Sequence, residues 1–494
     1  MFRRFLLFLA PLAPLALAGQ PVTVADLPLA AAPGSTAPQI ASAYDRSLYV
    51  SWIEPTEAGK HSLLLAQFDR ESQNWSEPRQ IASGADWFIN DADTPRIAAG
   101  LRGKVAAVWY VRNSPDSHAY HAMISTSEDH GTTWSAPRKL SAESDATEFV
   151  SLASLINGKW LAVWLDGRAR GEDHAGDTQL YSRIVGSEDP DTLIDERVCD
   201  CCPVSSLVLP NGAVLTAYRD RSANEVRDIV YQRYSRGQWS PASAPRSDGW
   251  HIEGCPVNGA WLSRRGAHVA TTWFTAAGNN PRIVTARSNN IGNSWNLLAE
   301  ISDPENPPLG AVSNVVLRDG SQWSSWVESG GTIALRNVTG AGEVGSLERF
   351  DGTLRTTGHP LLTVLDNRAD QSSKLLMVRT IPGTDAAPGR VATQVVTLPH
   401  DPKAGIDDCG CGPGEVTRGH AVRGRIEGIL PDRNALLVAH EEVPGVMRAM
   451  TMMFQVDPRI IPLVKEGEEI LGRMERRGDG KWWLFNLRTV RPTR

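Results

Sequence analysis

The stretch "AAVWYV" (residues 106–111) is a short apolar run with an aromatic residue near its end, and it recurs through the first 400 residues. The other copies read "YVSWIE", "LAVWLD", "LTAYRD", "ATTWFT" and "WSSWVE", with a weaker one, "KLLMVRT", after them. The aligned residues are Trp52, Trp109, Trp164, Tyr218, Trp273, Trp326 and Val378. Neighbouring copies are 52 to 57 residues apart. A regular period of this length indicates a repeat architecture.

Each repeat has the pattern of four short strands, as in "PRIAAGL", "KVAAVWYV", "YHAMISTS" and "WSAPRKLS" of the second repeat. Such a sheet cannot bury its faces alone, so the repeats are expected to stack radially. The sequence therefore predicts an all-β chain with a six- or seven-bladed β-propeller over residues 19–400, seven units being counted. The last unit lacks a clear fourth strand. The stretch "QPVTVADL", near residue 20, is predicted to supply it and close the ring.

Two turn motifs inside the repeats carry a family resemblance. "SEDHGTTW" (residues 127–134) matches the Asp-box pattern Ser-x-Asp-x-Gly-x-Thr-Trp, and "SNNIGNSW" (residues 288–295) is a copy with Asn290 in place of Asp. Asp or Asn caps such a turn, and Gly supplies a backbone conformation that other residues avoid. The chain thus resembles sialidase-like BNR-repeat propellers over about residues 35–400. True sialidases have six blades, whereas seven units are counted here.

The sialidase resemblance implies three arginines around a carboxylate, a tyrosine nucleophile with a glutamate, and an aspartate acid/base. The candidate catalytic residues are Arg96, Tyr218, Arg219, Arg227 and Glu253. The Arg-Ile-Pro signature of the family is missing from the sequence, and charged residues in blade turns are commonly solvated ion pairs. An exo-sialidase-like glycoside hydrolase is therefore the alternative interpretation. A role without catalysis is favoured, because a fold does not by itself carry a function.

The cysteines are concentrated in a few short segments. Two blocks end on Cys-Pro-Val just ahead of a blade's first strand, so Cys202 and Cys255 are expected to lie close together at the mouth of the central channel. Exported proteins use cysteines as disulfides, whereas thiolates with nearby imidazoles suit Cu(I) or Zn. Both interpretations stay open. The predicted second metal site or disulfide set comprises Cys199, Cys201, Cys202, Cys255, Cys409, Cys411, His251 and His359.

A linker is predicted over residues 401–415, where "DDCGCGPGE" is rich in Gly, Pro and Asp. One residue separates Cys409 from Cys411, so a disulfide between them would close a strained ring. A Cu(I)-binding pair is favoured there. After the linker, residues 416–494 read as five strands, enough for a small closed barrel of the OB type.

The stretch "HEEVPGVMRAMTMMF" in this last unit contains four of the eight methionines of the chain. On an extended strand Met450 and Met452 project to one side, and His440, at the end of the preceding strand, is expected to reach the same point. Two thioethers and an imidazole select a soft monovalent ion such as Cu(I) or Ag(I). Met453 projects to the other side and is predicted to fill the barrel core.

The sequence from residue 418 onward resembles the small periplasmic copper chaperones of the CusF type, through a His, a short loop and then Met-Thr-Met. By position, the resemblance implies His440, Met450 and Met452 as the Cu(I) or Ag(I) ligands. Members of the family cover the ion with a tryptophan three residues before the first Met. That place holds Met447 here, so the cation–π cap is missing and Met447 is expected to act as a fourth ligand or as a shield.

The N-terminus "MFRRFLLFLAPLAPLALAGQ" has two arginines, an apolar run and an Ala-Leu-Ala site, which predicts a cleaved signal peptide over residues 1–18. Export to the periplasm follows, and no later run is long enough to span a membrane. The formal net charge of -6 makes nucleic acid an unlikely partner. The sequence predicts an exported copper-handling protein, in which the propeller is a second metal site, a docking platform for a cuproprotein or efflux component, or a copper-dependent enzyme supplied by the C-terminal domain.

Overall fold

The computed structural model describes residues 22–43, 45–171, 176–317, 319–350, 360–365, 373–384, 387–399, 420–443, 446–476 and 480–489. The predicted signal peptide, the predicted linker with Cys409 and Cys411, and His359 lie outside the described residues. Of the described residues, none forms a helix long and apolar enough to cross a membrane. The helical segments described are short 3-10 turns: Glu57–Gly59, Leu101–Gly103, Ala277–Asn279, Pro431–Arg433 and Pro458–Leu463.

Seven antiparallel sheets form a seven-bladed propeller, which confirms the count of repeats. The innermost strands are β2 (Thr36–Ser42), β7 (Arg96–Ala99), β11 (Thr147–Ser154), β15 (Ser205–Val208), β19 (Ala260–Arg265), β23 (Pro308–Val316) and β27 (Leu361–Val364). The second strands are β3 (Leu48–Pro55), β8 (Val105–Arg112), β12 (Trp160–Asp166), β16 (Val214–Arg219), β20 (His268–Thr275), β24 (Gln322–Glu328) and β28 (Lys374–Ile381).

The third strands are β4 (His61–Asp69), β9 (Tyr120–Ser127), β13 (Gln179–Ile184), β17 (Ile229–Ser235), β21 (Arg282–Ser288), β25 (Ile333–Val338) and β29 (Arg390–Thr397). The outer strands are β1 (Thr23–Leu27), β5 (Asn74–Trp75), β6 (Arg79–Gly84), β10 (Arg138–Lys139), β14 (Thr192–Asp195), β18 (Gln238–Trp239), β22 (Leu297–Glu300) and β26 (Val344–Phe350). The first blade has two short outer strands, β5 and β6, both paired with β4.

The ring is closed by the N-terminal strand, as the sequence predicted. β1 pairs antiparallel with β29 of the last blade, with Thr23 opposite Thr397 and Leu27 opposite Thr393. The first and last parts of the propeller are thus joined by backbone hydrogen bonds in one sheet. The pairing covers the outer edge of β29 and links the two ends of the ring by backbone hydrogen bonds.

The repeated aromatic residue lies on the second strand of each blade, where it is buried between sheets. Trp52, Trp164, Trp273 and Trp326 are all at most 1% exposed. Three of them satisfy the indole N–H with a carboxylate: Trp52 donates to Glu54, Trp164 to Asp166 and Trp273 to Asp248, each at 2.7 Å. A large apolar ring with one satisfied donor suits this inter-blade position.

The Asp-box turns adopt the capped geometry that their sequence predicts. The Asp129 carboxylate accepts the backbone N–H groups of Thr132 and Thr133 at 3.1 and 2.8 Å. Gly131 has a φ of +78°, and a Cβ there would lie 2.4 Å from Leu65, so the position requires glycine. These turns stabilise the outer part of the blades and contribute no group to the channel mouth.

The C-terminal unit is a closed five-stranded barrel with the order β30-β31-β32-β34-β33. Its strands are β30 (His420–Leu430), β31 (Ala435–His440), β32 (Met450–Gln455), β33 (Glu469–Arg476) and β34 (Trp482–Thr489). Its core includes Val422, Ile426, Leu436, Phe454 and Leu484. The barrel confirms the predicted OB-type architecture.

Candidate metal centres

The barrel register brings together the predicted histidine and methionine ligands. On the β31–β32 pair, His440 lies directly opposite Met450 and Val438 lies opposite Met452. Directly opposed residues of antiparallel strands share a face, and so do residues two apart on one strand. Because Val438 is fully buried in the barrel core, this face points inward. His440, Met450 and Met452 therefore project from neighbouring strands toward one end of the barrel interior.

The imidazole of His440 is held in the orientation that a metal ligand requires. It is only 3% exposed and packs edge-on against Phe454, with the ring centroids 5.8 Å apart. Its Nδ1 lies 2.6 Å from the Glu441 carbonyl oxygen. Since a carbonyl only accepts, Nδ1 is the donor and Nε2 keeps its lone pair. That Nε2 is buried with no hydrogen-bond partner.

The methionines surround this histidine with different exposures. Met450 is 52% exposed, Met452 is half-buried, and the half-buried Met447 packs against the barrel core. Met453, which was predicted to fill the core, is 38% exposed. That prediction was wrong because Met453 pairs with Leu437 on the outward face of the two strands. The arrangement leaves Met450 at the surface, opposite His440, and Met452 deeper, opposite Val438.

A second cluster of soft ligands lies in the propeller, ahead of β15. The Sγ atoms of Cys199, Cys201 and Cys202 all lie within 4.8 Å of one another; we call these three residues the thiol cluster. Cys201 forms a disulfide with Cys255, with the Cα atoms 6.0 Å apart, while Cys199 and Cys202 are free and buried. The bond connects the segments ahead of two adjacent inner strands, β15 and β19.

The expected neighbour of Cys255 was Cys202, since both precede Pro-Val, but the disulfide is made by Cys201. The reason is local: Asp200 and Cys201 form a turn, which directs successive cysteine side chains differently. Cys202 is 1% exposed, whereas Cys201 is half-buried and Cys255 is exposed. The disulfide therefore lies at the surface and the two thiols lie beneath it.

Two arginines place positive charge beside the buried thiols. Arg227 donates to the Cys199 sulfur at 3.7 Å. The fully buried Arg219 donates to three backbone carbonyls, those of Asn258, Arg227 and Phe274, at 2.7 to 2.9 Å, which leaves its charge uncompensated by these bonds. The hydrogen bond with Cys202, with help from both arginines, lowers the pKa of the Cys199 thiol. Burial raises the pKa of Cys202.

The thiol cluster does not include the predicted histidine partner. His251 is exposed, and its backbone forms an isolated bridge with Val226. Of the described residues, the ligand atoms that meet within 4.8 Å there are sulfurs alone. The predicted mixed set of thiols and imidazoles is therefore replaced by sulfur alone, with Cys199 and Cys202 as its free thiols.

The candidate catalytic residues are placed in different surroundings. Tyr218 is fully buried and donates a hydrogen bond to Asp195 at 2.7 Å. Arg219 donates its hydrogen bonds to the three backbone carbonyls already named. Arg227 is 3% exposed and pairs with Glu225 at 2.8 Å. Arg96 donates to Gln39 near the channel at 3.1 Å, and Glu253 is exposed. Tyr218 thus packs against the preceding blade and Arg219 bonds to the following one. The contact of Arg227 with Cys199 is a feature that the sequence pattern did not reveal.

Comparisons with known proteins match both parts of the chain. A model of the BNR repeat-like domain matches residues 47–247, and a model of the copper binding periplasmic protein CusF matches residues 419–488. No curated protein sequence matches the chain.

Solved structures similar to the chain are propellers with low identity. They include an α-L-arabinofuranosidase from Fusarium graminearum, at 13% identity over 76% of this chain and 96% of that one, with a TM-score of 0.43. The BP39L lectin from Burkholderia pseudomallei is 12% identical over 74% and 98%, with a TM-score of 0.49. The NanB sialidase from Streptococcus pneumoniae is 10% identical over 76% and 94%, with a TM-score of 0.36. These similarities concern the fold alone.

Proposed function

We propose, from the premise that the chain is a BNR-repeat β-propeller followed by a CusF-type copper-binding domain, that it is an exported protein that handles Cu(I) or Ag(I). His440, Met450 and Met452 are the proposed ligands. The observation that carries this assignment is the buried, unpartnered Nε2 of His440. A buried polar atom without a partner costs free energy, and a soft metal ion at Nε2 would remove that cost.

The exposure gradient across the ligands supports a role in transfer. Met450 is at the surface, while His440 is buried, so an incoming ion meets Met450 first and is then drawn toward the imidazole. Thioethers need no deprotonation and form no disulfides, which suits an oxidising compartment such as the periplasm. In reverse, a partner replaces Met450 first and takes the ion by ligand exchange. The half-buried Met447 shields the site in place of an aromatic cap.

The proposed role in the cell is copper chaperoning, tolerance or delivery, with a periplasmic cuproprotein or efflux component as partner. The thiol cluster is the proposed second site, because thiolates are the ligands that Cu(I) prefers. With Cys201 in the disulfide, Cys199 and Cys202 are the two sulfurs available. We assign the signal peptide to residues 1–18, the propeller to 19–400, the linker to 401–415 and the barrel to 416–494.

Metal content tests this proposal directly. The full chain is purified without oxygen from copper-supplemented cells, beside a His440→Ala variant and a Cys199→Ser/Cys202→Ser variant. We expect each variant to lose one copper per chain, from a different site. Unchanged copper in His440→Ala would overturn the barrel assignment. Unchanged copper in the cysteine variant would exclude copper from the thiol cluster. Cys409→Ser/Cys411→Ser is the matched control, which measures the copper held by the predicted linker pair.

A further inference from the structure

A disulfide and two thiols occupy one small volume of the propeller. Cys199 and Cys202 have the Cys-x-x-Cys spacing, and their sulfurs lie within 4.8 Å of the Cys201 sulfur. Cys201 is in turn bonded to Cys255. Exchange between a thiol and a disulfide proceeds by attack of a thiolate on one of the two bonded sulfurs. The reactants for such an exchange are therefore already assembled within the protein.

The two redox pairs differ in their access to solvent. Cys199 and Cys202 are 0% and 1% exposed, so a solute cannot reach them without opening the structure. Cys255 is exposed and Cys201 is half-buried. The disulfide is thus the outer end of the cluster and the dithiol is the inner end.

The surrounding charges select the attacking sulfur. Arg227 donates a hydrogen bond to Cys199, and the buried Arg219 donates only to the three carbonyls named above. Positive charge next to a cysteine favours its thiolate, which is the nucleophile in exchange. Cys202, which is buried beside Cys199 at the Cys-x-x-Cys spacing and receives no hydrogen bond from Arg227 among the described contacts, acts second.

We propose that the propeller contains a thiol–disulfide relay. The buried Cys199 and Cys202 pass two electrons to the disulfide between the exposed Cys255 and its partner Cys201. The two outer thiols that result then reduce Cu(II) to Cu(I). The relay itself does not depend on the proposed function; the choice of Cu(II) as acceptor rests on it, since the barrel ligands select Cu(I).

The exchange balances without any external reagent. The Cys199 thiolate attacks the Cys201 sulfur, the Cys201–Cys255 bond breaks, and Cys255 leaves as a thiolate that takes a proton from solvent. Cys202 then loses its proton and attacks the Cys199 sulfur, and Cys201 leaves as a thiol. The buried pair is now a disulfide and the outer pair is a dithiol. Two Cu(II) ions then each accept one electron, the Cys201–Cys255 disulfide re-forms, and two protons are released.

Alkylation of the native full chain tests the relay without copper. Anaerobically purified protein is treated with iodoacetamide, unfolded in acid, treated with N-ethylmaleimide and mapped by mass spectrometry. The relay predicts iodoacetamide on Cys255, although Cys255 is in the disulfide. It also predicts that Cys199→Ser abolishes this label. Cys202→Ser keeps a slower label, because iodoacetamide traps Cys255 while the strained, short-lived Cys199–Cys201 bond exists. Label on Cys199 and Cys202 alone, or only after unfolding, would overturn the relay.

Copper reduction tests the acceptor. The full chain with Cys409→Ser and Cys411→Ser is mixed with Cu(II) and a chromogenic Cu(I) chelator without oxygen. We expect two Cu(I) per chain, the same yield in the control variant Met453→Leu, which lies on the outward face of β32, and a reduction at least about tenfold slower in Cys201→Ser/Cys255→Ser, whose folding is checked by its thermal transition. An equal rate in that last variant would show direct access to the buried thiols and overturn the relay. If the parent protein produces Cu(I) but retains none of it, the proposed function fails and the relay stands.

Discussion

His440 lies directly across the β31–β32 strand pair from the exposed Met450, and its own Nε2 is buried without a hydrogen-bond partner. A histidine held by one hydrogen bond at Nδ1 and left open at Nε2 is typical of a metal ligand whose other ring nitrogen is fixed. The proposed ligand atom is therefore Nε2, and the proposed entry side is that of the exposed Met450.

Met450→Leu is expected to weaken Cu(I) binding by at least about tenfold, by analogy with the 10- to 100-fold losses known for changes around metal sites. Leucine has nearly the same volume but supplies no sulfur. The affinity is measured on the full chain by competition with a Cu(I) chelator. Met453→Leu is the matched control, because Met453 projects outward from the same strand. Equal losses in the two variants would contradict the assigned face.

Ag(I) or Cu(I) is expected to stabilise the barrel against heat, and Zn(II) is not, because the ligand set has two thioethers. At a free ion concentration 100 times the Kd, the gain is about 2.7 kcal/mol. The thermal transition of the barrel is followed with and without each ion. In His440→Ala the shift with Ag(I) should disappear, while the metal-free transitions serve as the baseline for each protein. A larger shift with Zn(II) would contradict the soft-ligand assignment.

Asp93→Asn is expected to flatten the pH dependence of propeller stability between about pH 4 and 7. Burial raises the pKa of Asp93 to about 7, so the folded chain binds this proton more tightly than the unfolded chain does. Its contribution is complete below the unfolded pKa of about 4 and is lost as the pH rises to 7, by up to roughly 1.4 kcal/mol per pH unit. Urea unfolding, followed by tryptophan fluorescence, measures the slope.

The amide oxygen that Asp93→Asn introduces can still accept from Tyr120 and from the Phe149 N–H, the two donors that reach one oxygen of the native carboxylate at 3.0 and 2.8 Å. Asp129→Asn is the control. Backbone hydrogen bonds lower the pKa of Asp129 to about 2, so its effect is confined to acid, where protonation removes a stabilising contribution. A slope between about pH 4 and 7 that Asp93→Asn leaves unchanged would contradict the prediction.

Tyr218→Phe is expected to lower the free energy of unfolding by about 1 kcal/mol, because the buried hydrogen bond to Asp195 is lost. The measurement is denaturant unfolding of the full chain. Tyr181→Phe is the comparison, since the Tyr181 hydroxyl makes a longer bond of 3.3 Å to Gln179 in a half-buried place. Unchanged stability, together with turnover of a fluorogenic sialoside that Tyr218→Phe abolishes, would instead give Tyr218 a catalytic role.

The architecture was predictable because its signals are periodic and local. The spacing of Trp52, Trp109 and Trp164 reports the blade repeat, since each of these residues occupies the same inter-blade position. The strand contributed by residues near 20 followed from counting, because the last unit was one strand short. On the barrel, the alternation of Met450 and Met452 with Thr451 and Met453 was enough to predict that the first two share a face with His440.

The side-chain contacts between blades could not be predicted in this way. The choice of Cys201 over Cys202 for the disulfide depends on a turn at Asp200, and the contact of Arg227 with Cys199 joins residues 28 positions apart. The place of Met453 was misjudged because the core was assumed to accept any apolar residue of the strand. These features depend on how separate segments of the chain contact one another in the fold. The spacing of the sequence repeats carries no information about such contacts.

The strand that completes the last blade also brings the two ends of the propeller chain together. Because Thr23 is paired with Thr397, the segment ahead of residue 23 and the segment that leads to the barrel leave the propeller from the same end of the same blade. A fluorophore or surface tether attached just before Thr23 would therefore lie close to the point where the chain leaves the propeller toward the barrel. Such a label would report the distance between the barrel and the end of the propeller to which it is connected. The measurement would require no change to the proposed copper ligands.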